Sequence, residues 1–140
     1  IRVAAENAVL ALPEITLGLI PGAGGTQRLM RQIAPCKARE IMFTGDRISA
    51  EEAEKIGLIN RVVKSDQLMA DVMKTADRIA NHSPLVLKLM KRNLAHGQDM
   101  SLPAALAHEQ TMTGIVLATD DAHEGCSAFL EKRKAKFLGK

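Results

Sequence analysis

The sequence contains no tryptophan and no tyrosine, and its only aromatics are Phe43, Phe129 and Phe137. Stacking single-stranded bases takes several aromatic faces, so a nucleic-acid partner is disfavoured. There are two cysteines, Cys36 and Cys126, and no Cys-x-x-Cys pair, which excludes a disulfide framework and a cysteine-based zinc or redox site. No apolar run reaches the about 20 residues that a membrane-spanning helix needs, so no membrane partner is expected. Four histidines, His82, His96, His108 and His123, share neither a helical face nor a ligand spacing, and no metal site is expected from them.

What remains is a chain of 140 residues, 46% hydrophobic and 25% charged. A domain of this size buries roughly 68% of the surface its unfolded chain exposes, enough for a core without a metal or a disulfide. The net charge is +3, and it is unevenly spread. From Phe129 onward stand Lys132, Arg133, Lys134, Lys136 and Lys140 against Glu131 alone, while the rest is nearly balanced. The basic character belongs to a tail, which makes a phosphorylated small ligand or a nucleic acid the partners to weigh.

The first 25 residues hold three short apolar runs, Ile1 to Ala5, Ala8 to Leu12 and Ile15 to Ile20, read as buried strands or strand-like turns. Beyond Thr26 the signals are helical. Ser49-x-x-Glu52 is a capping box opening Ala50 to Lys55, with Gly57 as the stop. Leu58 to Val63 is β-branched enough for another strand. Ser65 caps a helix to about Asn81. Ser83-Pro84 starts the next, with Leu85, Leu89 and Leu94 on its apolar side and an end near Gly97. Ser101 to about Leu117 and Asp120 to about Lys134 complete the helices. So few short strands do not make a stable sheet, so further strands are expected upstream of Ile1.

Glu14 is the single charged residue between Ala8 and Gln27. It reads either as a strand-end carboxylate facing water or as a desolvated group suited to proton transfer. The cluster Gly22-Ala23-Gly24-Gly25 fits neither a dinucleotide fingerprint nor a P-loop, because Gln27 stands where the first needs Gly or Ala and the second needs an absent Gly-Lys-Ser/Thr. Its glycines are read as letting the backbone approach a ligand, water or a packed helix closely.

The run Pro13-Glu14-Ile15-x-Leu17-Gly18-x-x-Pro21-Gly22-Ala23-Gly24-Gly25-Thr26-Gln27-Arg28-Leu29 resembles the crotonase superfamily, specifically its enoyl-CoA hydratases. Phe43-Thr44-Gly45-Asp46-Arg47-Ile48-Ser49-Ala50-Glu51-Glu52-Ala53, Gly57 to Val63, His82-Ser83-Pro84-Leu85 and Glu124-Gly125-x-x-Ala128-Phe129-Leu130-Glu131-Lys132-Arg133-Lys134 agree in one register. The resemblance implies an α/β fold: the C-terminal part of a crotonase-like β-β-α superhelix over residues 1–63, with the active-site loop, then a helical trimerisation region over residues 64–140. The implied activity is syn addition of water to a 2-enoyl-CoA thioester in fatty-acid β-oxidation or aromatic-acid degradation. Two backbone N–H donors would hold the thioester oxygen, generally a large electrostatic contribution. Two glutamates would handle water and the α-proton. Glu14 matches the second glutamate, and Gly22 the position whose N–H helps hold the reacting water. Phe129 and Lys132 match residues that approach the adenine and phosphates of coenzyme A from a neighbouring subunit. No cofactor beyond coenzyme A as the substrate's carrier is implied. A trimer or hexamer in the cytoplasm, or in the mitochondrial matrix of a eukaryote, completes the expectation.

Two departures stand out. The first glutamate and both oxyanion donors match segments preceding Ile1, so the chain is expected to be the C-terminal half of a hydratase with about half a site. Leu10 and Ala11 stand where the family usually has Phe-Gly. Competing readings are a crotonase-fold isomerase using one carboxylate, an RNA-binding member using the basic tail, and a non-catalytic assembly piece. Cys36 is read as a small buried or half-buried thiol, and Met69, Met73, Met90 and Met112 as serving helix packing and subunit contacts. Lys132 to Lys136 reads as a helix end or a phosphate-binding segment, and the resemblance favours the second.

Overall fold

The computed structural model describes Ile1–Lys140 in full, and the chain divides into two compact units, Ile1–Lys74 and Thr75–Lys140. In chain order the first unit carries β1 (Val3–Ala5), β2 (Val9–Leu10), a 3-10 turn (Pro13–Leu17), α1 (Gly25–Met30), α2 (Pro35–Thr44), β3 (Ile48–Ser49), α3 (Ala50–Lys55) and β4 (Arg61–Val63). A second 3-10 turn, Ser65–Gln67, leads into α4 (Leu68–Ala80), inside which the boundary falls.

Strand pairing is minimal. β1 runs parallel to β4 with Val3 opposite Arg61 and Ala5 opposite Val63, and β2 runs antiparallel to β3 with Leu10 opposite Ile48. Leu29, Ile33, Ala38, Ile41 and Met42 form the core of this unit, with Leu12, Ile48 and Leu58 packed against it. Of the three apolar runs read as buried strands or strand-like turns, two supply β1 and β2. Ile15 to Ile20 takes the turn alternative and is exposed, not buried. Pro13 fixes the backbone at the start of a 3-10 turn, the Thr16 hydroxyl donates to the Pro13 carbonyl at 2.8 Å, and Leu19 N–H donates to the Glu14 carbonyl at 3.0 Å. Gly18, at φ 70°, then ends the turn in the left-handed region. Local hydrogen bonds take the groups a strand would have offered to a neighbour.

The second unit is helical: the remainder of α4, then α5 (Pro84–Gly97), α6 (Leu102–Leu117), α7 (Asp120–Leu130) and an irregular tail. Ser83 and Thr119 cap α5 and α7, accepting from Val86 N–H and Ala122 N–H at 3.1 Å each. Helix α7 stops at Leu130 and not near Lys134, because Lys132 turns into the left-handed region at φ 54°. Large apolar side chains remain outside: Leu94 on α5 is 62% exposed, and Met90 on α5 is exposed as well, as are Met69 and Met73 on the first-unit part of α4.

Candidate active site

Glu14 stands second in the 3-10 turn and is half-buried. Its Oε2 is fully shielded and has no hydrogen-bond partner. Leaving a buried polar atom unpaired costs about 1–3 kcal/mol, more for a charged one. Such a group is a structural liability unless something outside the folded chain uses it.

Contacts distant in sequence hold the turn in place. Gly45, which ends α2 at φ 71°, lies so close that a Cβ there would sit 2.9 Å from Thr16 Cγ2 and 3.2 Å from Ile15 Cγ2. Gly25 opens α1 against Pro21, where a Cβ would sit 2.7 Å from the proline Cβ. Two glycines thus permit close packing on either side of the loop that leaves Glu14, and neither role is readable from local sequence. Within the glycine cluster it is Gly25 that admits packed neighbours, Pro21 and Leu12. Gly22 itself is exposed, and only the Ile20 carbonyl oxygen, at 3.8 Å, comes near its Cβ position. Glu14 and Gly22 therefore share one compact unit on successive irregular segments. Leu10 and Ala11, the residues that depart from the family pattern, line a 260 Å³ apolar cavity with Leu12, Leu29 and Ile41, a cavity whose wall does not include Glu14.

Phe129 and Lys132 lie at the end of α7 in the second unit. Phe129 is 82% exposed. Lys132 N–H donates to the Phe129 carbonyl at 3.2 Å and Arg133 N–H to the Ala128 carbonyl at 3.0 Å, the bond pair of a Schellman cap with lysine where glycine is usual. The basic tail is exposed but tied down at Arg133. Arg133 grips Glu124 through both terminal nitrogens, at 2.6 and 2.8 Å, and reaches Glu131 through Nε at 2.5 Å. The Arg133 guanidinium, aided by Lys136 N–H, pulls the Glu124 carboxyl down to about 2, and the two carboxylates raise Arg133 in turn. Buried Asp121 accepts from the Ser83 hydroxyl at 2.5 Å and from Leu138 and Gly139 N–H at 2.7 and 2.9 Å. The Ser83 hydroxyl, followed by the two tail amides, holds its carboxyl below the usual range.

Cys36, read as a buried or half-buried thiol, is exposed at the start of α2, and both cysteines are free. No cluster of three or more His, Cys, Asp or Glu is placed to hold a metal ion, and no helix is long and apolar enough to cross a membrane.

The family profile described as enoyl-CoA hydratase/isomerase matches residues 1–140. The chain belongs to the enoyl-CoA hydratase/isomerase family. Among curated relatives of this family, the 2,3-dehydroadipyl-CoA hydratase of Escherichia coli is 44% identical over 138 residues, covering 99% of the chain and 54% of that protein. The crotonyl-CoA hydratase of Syntrophomonas wolfei is 43% identical over 139 residues, again 99% of the chain and 54% of the relative. The crystal structure of an enoyl-CoA hydratase from Bacillus anthracis superposes with a TM-score of 0.97 at 42% identity, over 99% of this chain and 54% of that one. The fold is crotonase-like, with mixed helix and strand. The chain spans about half the length of the enoyl-CoA hydratase/isomerase relatives it matches. The expected placement in the C-terminal half does not follow from these extents, which give a proportion of each relative and not which part of it.

Proposed function

We propose that the protein carrying this chain is an enoyl-CoA hydratase in which Glu14 is one of the two proton-transfer groups. The reaction adds water across the double bond of a 2-enoyl-CoA thioester: hydroxyl to the β-carbon, hydrogen to the α-carbon. Glu14 exchanges a proton in that addition and the Gly22 N–H helps hold the water. Residues 1–63 carry this part of the site, and residues 64–140 carry the helices that meet other subunits, in a trimer or hexamer working in the cytoplasm or the mitochondrial matrix. Phe129 and Lys132 contact the adenine and phosphates of coenzyme A. The remaining glutamate and the oxyanion donors belong to other parts of the protein.

One observation carries the reading: a buried carboxylate oxygen on Glu14 with no partner in the chain, on a turn fixed by close glycine contacts. The hydratase names of the 44% and 43% identical relatives favour hydration over isomerisation. The pairing of Arg133 with Glu124 and Glu131 removes a cation from the tail and weakens the RNA-binding alternative. Glu14→Gln keeps the shape and removes the titrating group, so turnover of crotonyl-CoA in the intact enzyme should fall about 100-fold to 10,000-fold, followed by loss of enoyl-thioester absorbance. Turnover within about threefold of the parent enzyme, far short of that loss, removes Glu14 from the mechanism.

A further inference from the structure

Helix α7 ends on a lysine in a conformation that side chains disfavour. Lys132, at φ 54°, is the chain's one non-glycine residue with positive φ. Such a residue persists only where its surroundings over-determine it, and it is a pointer to function. Here both flanks are held. The Schellman bonds fix the backbone from Ala128 to Arg133, and the next side chain, Arg133, is locked bidentately on Glu124, a full helical turn and more back along α7. Glu124 also accepts Lys136 N–H at 2.8 Å, fixing the chain on the far side.

The charges point the same way. Glu131 adjoins Lys132 in sequence and Glu124 stands in α7, and both carboxylates are engaged by Arg133. Lys132 takes part in none of the chain's ion pairs. Arg133 therefore diverts the local carboxylates, leaving the Lys132 ammonium for an anion from outside. With its carboxyl held down at about 2, Glu124 stays ionised and paired with Arg133 near neutral pH.

We infer that Glu124 and Arg133 are positioning residues: a clamp that holds Lys132 in its left-handed turn and keeps its ammonium unpaired for the phosphates of coenzyme A. The inference rests on the reading that Lys132 contacts coenzyme A, and the experiment separates the two. Coenzyme A is titrated calorimetrically at low salt into the intact enzyme and into Lys132→Ala, Glu124→Gln and the double variant, with crotonyl-CoA kinetics alongside. Lys132→Ala should weaken binding about twofold to fivefold, the size of an exposed charge contact. Glu124→Gln should do the same, raising KM and leaving kcat unchanged. In the Lys132→Ala background Glu124→Gln should have no further effect. Arg133→Lys, which keeps charge but not the bidentate fork, gives a milder loss and serves if Glu124→Gln fails to fold. Unchanged binding in Lys132→Ala overturns the coenzyme A contact and the clamp with it. A loss in Lys132→Ala with none in Glu124→Gln, or losses that multiply in the double variant, overturns the clamp alone.

Discussion

Replacing Gly45 by alanine tests whether the turn bearing Glu14 is held by close contact, and Gly57 supplies the matched control. Both glycines end short helices in the left-handed region, Gly45 at φ 71° and Gly57 at φ 75°. Placing alanine in that region costs roughly 1–2 kcal/mol at either position. The surroundings differ. Nothing lies within 4 Å of a Cβ at Gly57, whereas at Gly45 it would meet Thr16 Cγ2 at 2.9 Å and Ile15 Cγ2 at 3.2 Å. Relieving such overpacking adds about 1–3 kcal/mol, so urea denaturation should rank Gly45→Ala below Gly57→Ala by that margin. Thr16 and Ile15 adjoin Glu14, and the added methyl can be accommodated only by shifting them. A misplacement near 1 Å is worth about 100-fold in rate, and these contacts call for a shift smaller than that, so Gly45→Ala should lose turnover on crotonyl-CoA severalfold. Gly57→Ala should keep turnover near that of the parent enzyme. Equal turnover in the two variants would refute the positioning argument, and equal stability would refute the steric one.

The left-handed turn at Lys132 makes Lys132→Gly a trade: thermal or urea unfolding should show up to about 1 kcal/mol of added stability, while coenzyme A binding weakens. The tail should respond to acid. The folded Glu124 carboxyl is depressed from 4.5 to about 2 and Asp121 is lowered from 3.8, so their contribution is fully present above their unfolded values and is lost as pH falls through the folded ones. The protection factor of the Lys136 amide, which Glu124 accepts, should fall between pH 4.5 and about 2, and those of the Leu138 and Gly139 amides, which Asp121 accepts, should fall as pH drops below 3.8. Protection that persists below that window would mean the carboxylates are not what holds the tail.

Local chemistry was legible where it acts over three or four residues. Ser49 accepts from Glu52 N–H at 3.2 Å as its spacing implies, Ser83 accepts from Val86 N–H at 3.1 Å, and Pro84 occupies the first turn of α5. Glu14 stood out because it is alone in an uncharged stretch, and because that stretch resembles a known one. What was not legible depends on partners far away in sequence. The end of α7 is set by Glu124 gripping Arg133, which periodicity along the helix does not reveal. Asp121 reads as an ordinary acidic residue in a first helical turn, yet it is buried because Ser83 and two tail amides converge on it. The run Ile15 to Ile20 has a strand's composition, and only the hydrogen bonds of Thr16, Gly18 and Leu19 decide against a strand.

The two units thus secure irregular chain by different physical means. Around Glu14 the means is steric. Glycines at 25 and 45 remove the one atom that would keep neighbours apart, while the turn's own hydrogen bonds use the Thr16 hydroxyl and backbone groups and leave the Glu14 Oε2 unpaired. At the end of α7 it is electrostatic: carboxylates at Asp121 and Glu124 collect backbone and side-chain donors until the tail has one path, and Lys132 is left without an ion-pair partner. A phosphate-binding lysine is served by nearby carboxylates only if something else neutralises them first. In this chain Arg133 engages both Glu124 and Glu131, its single charge offsetting one of the two.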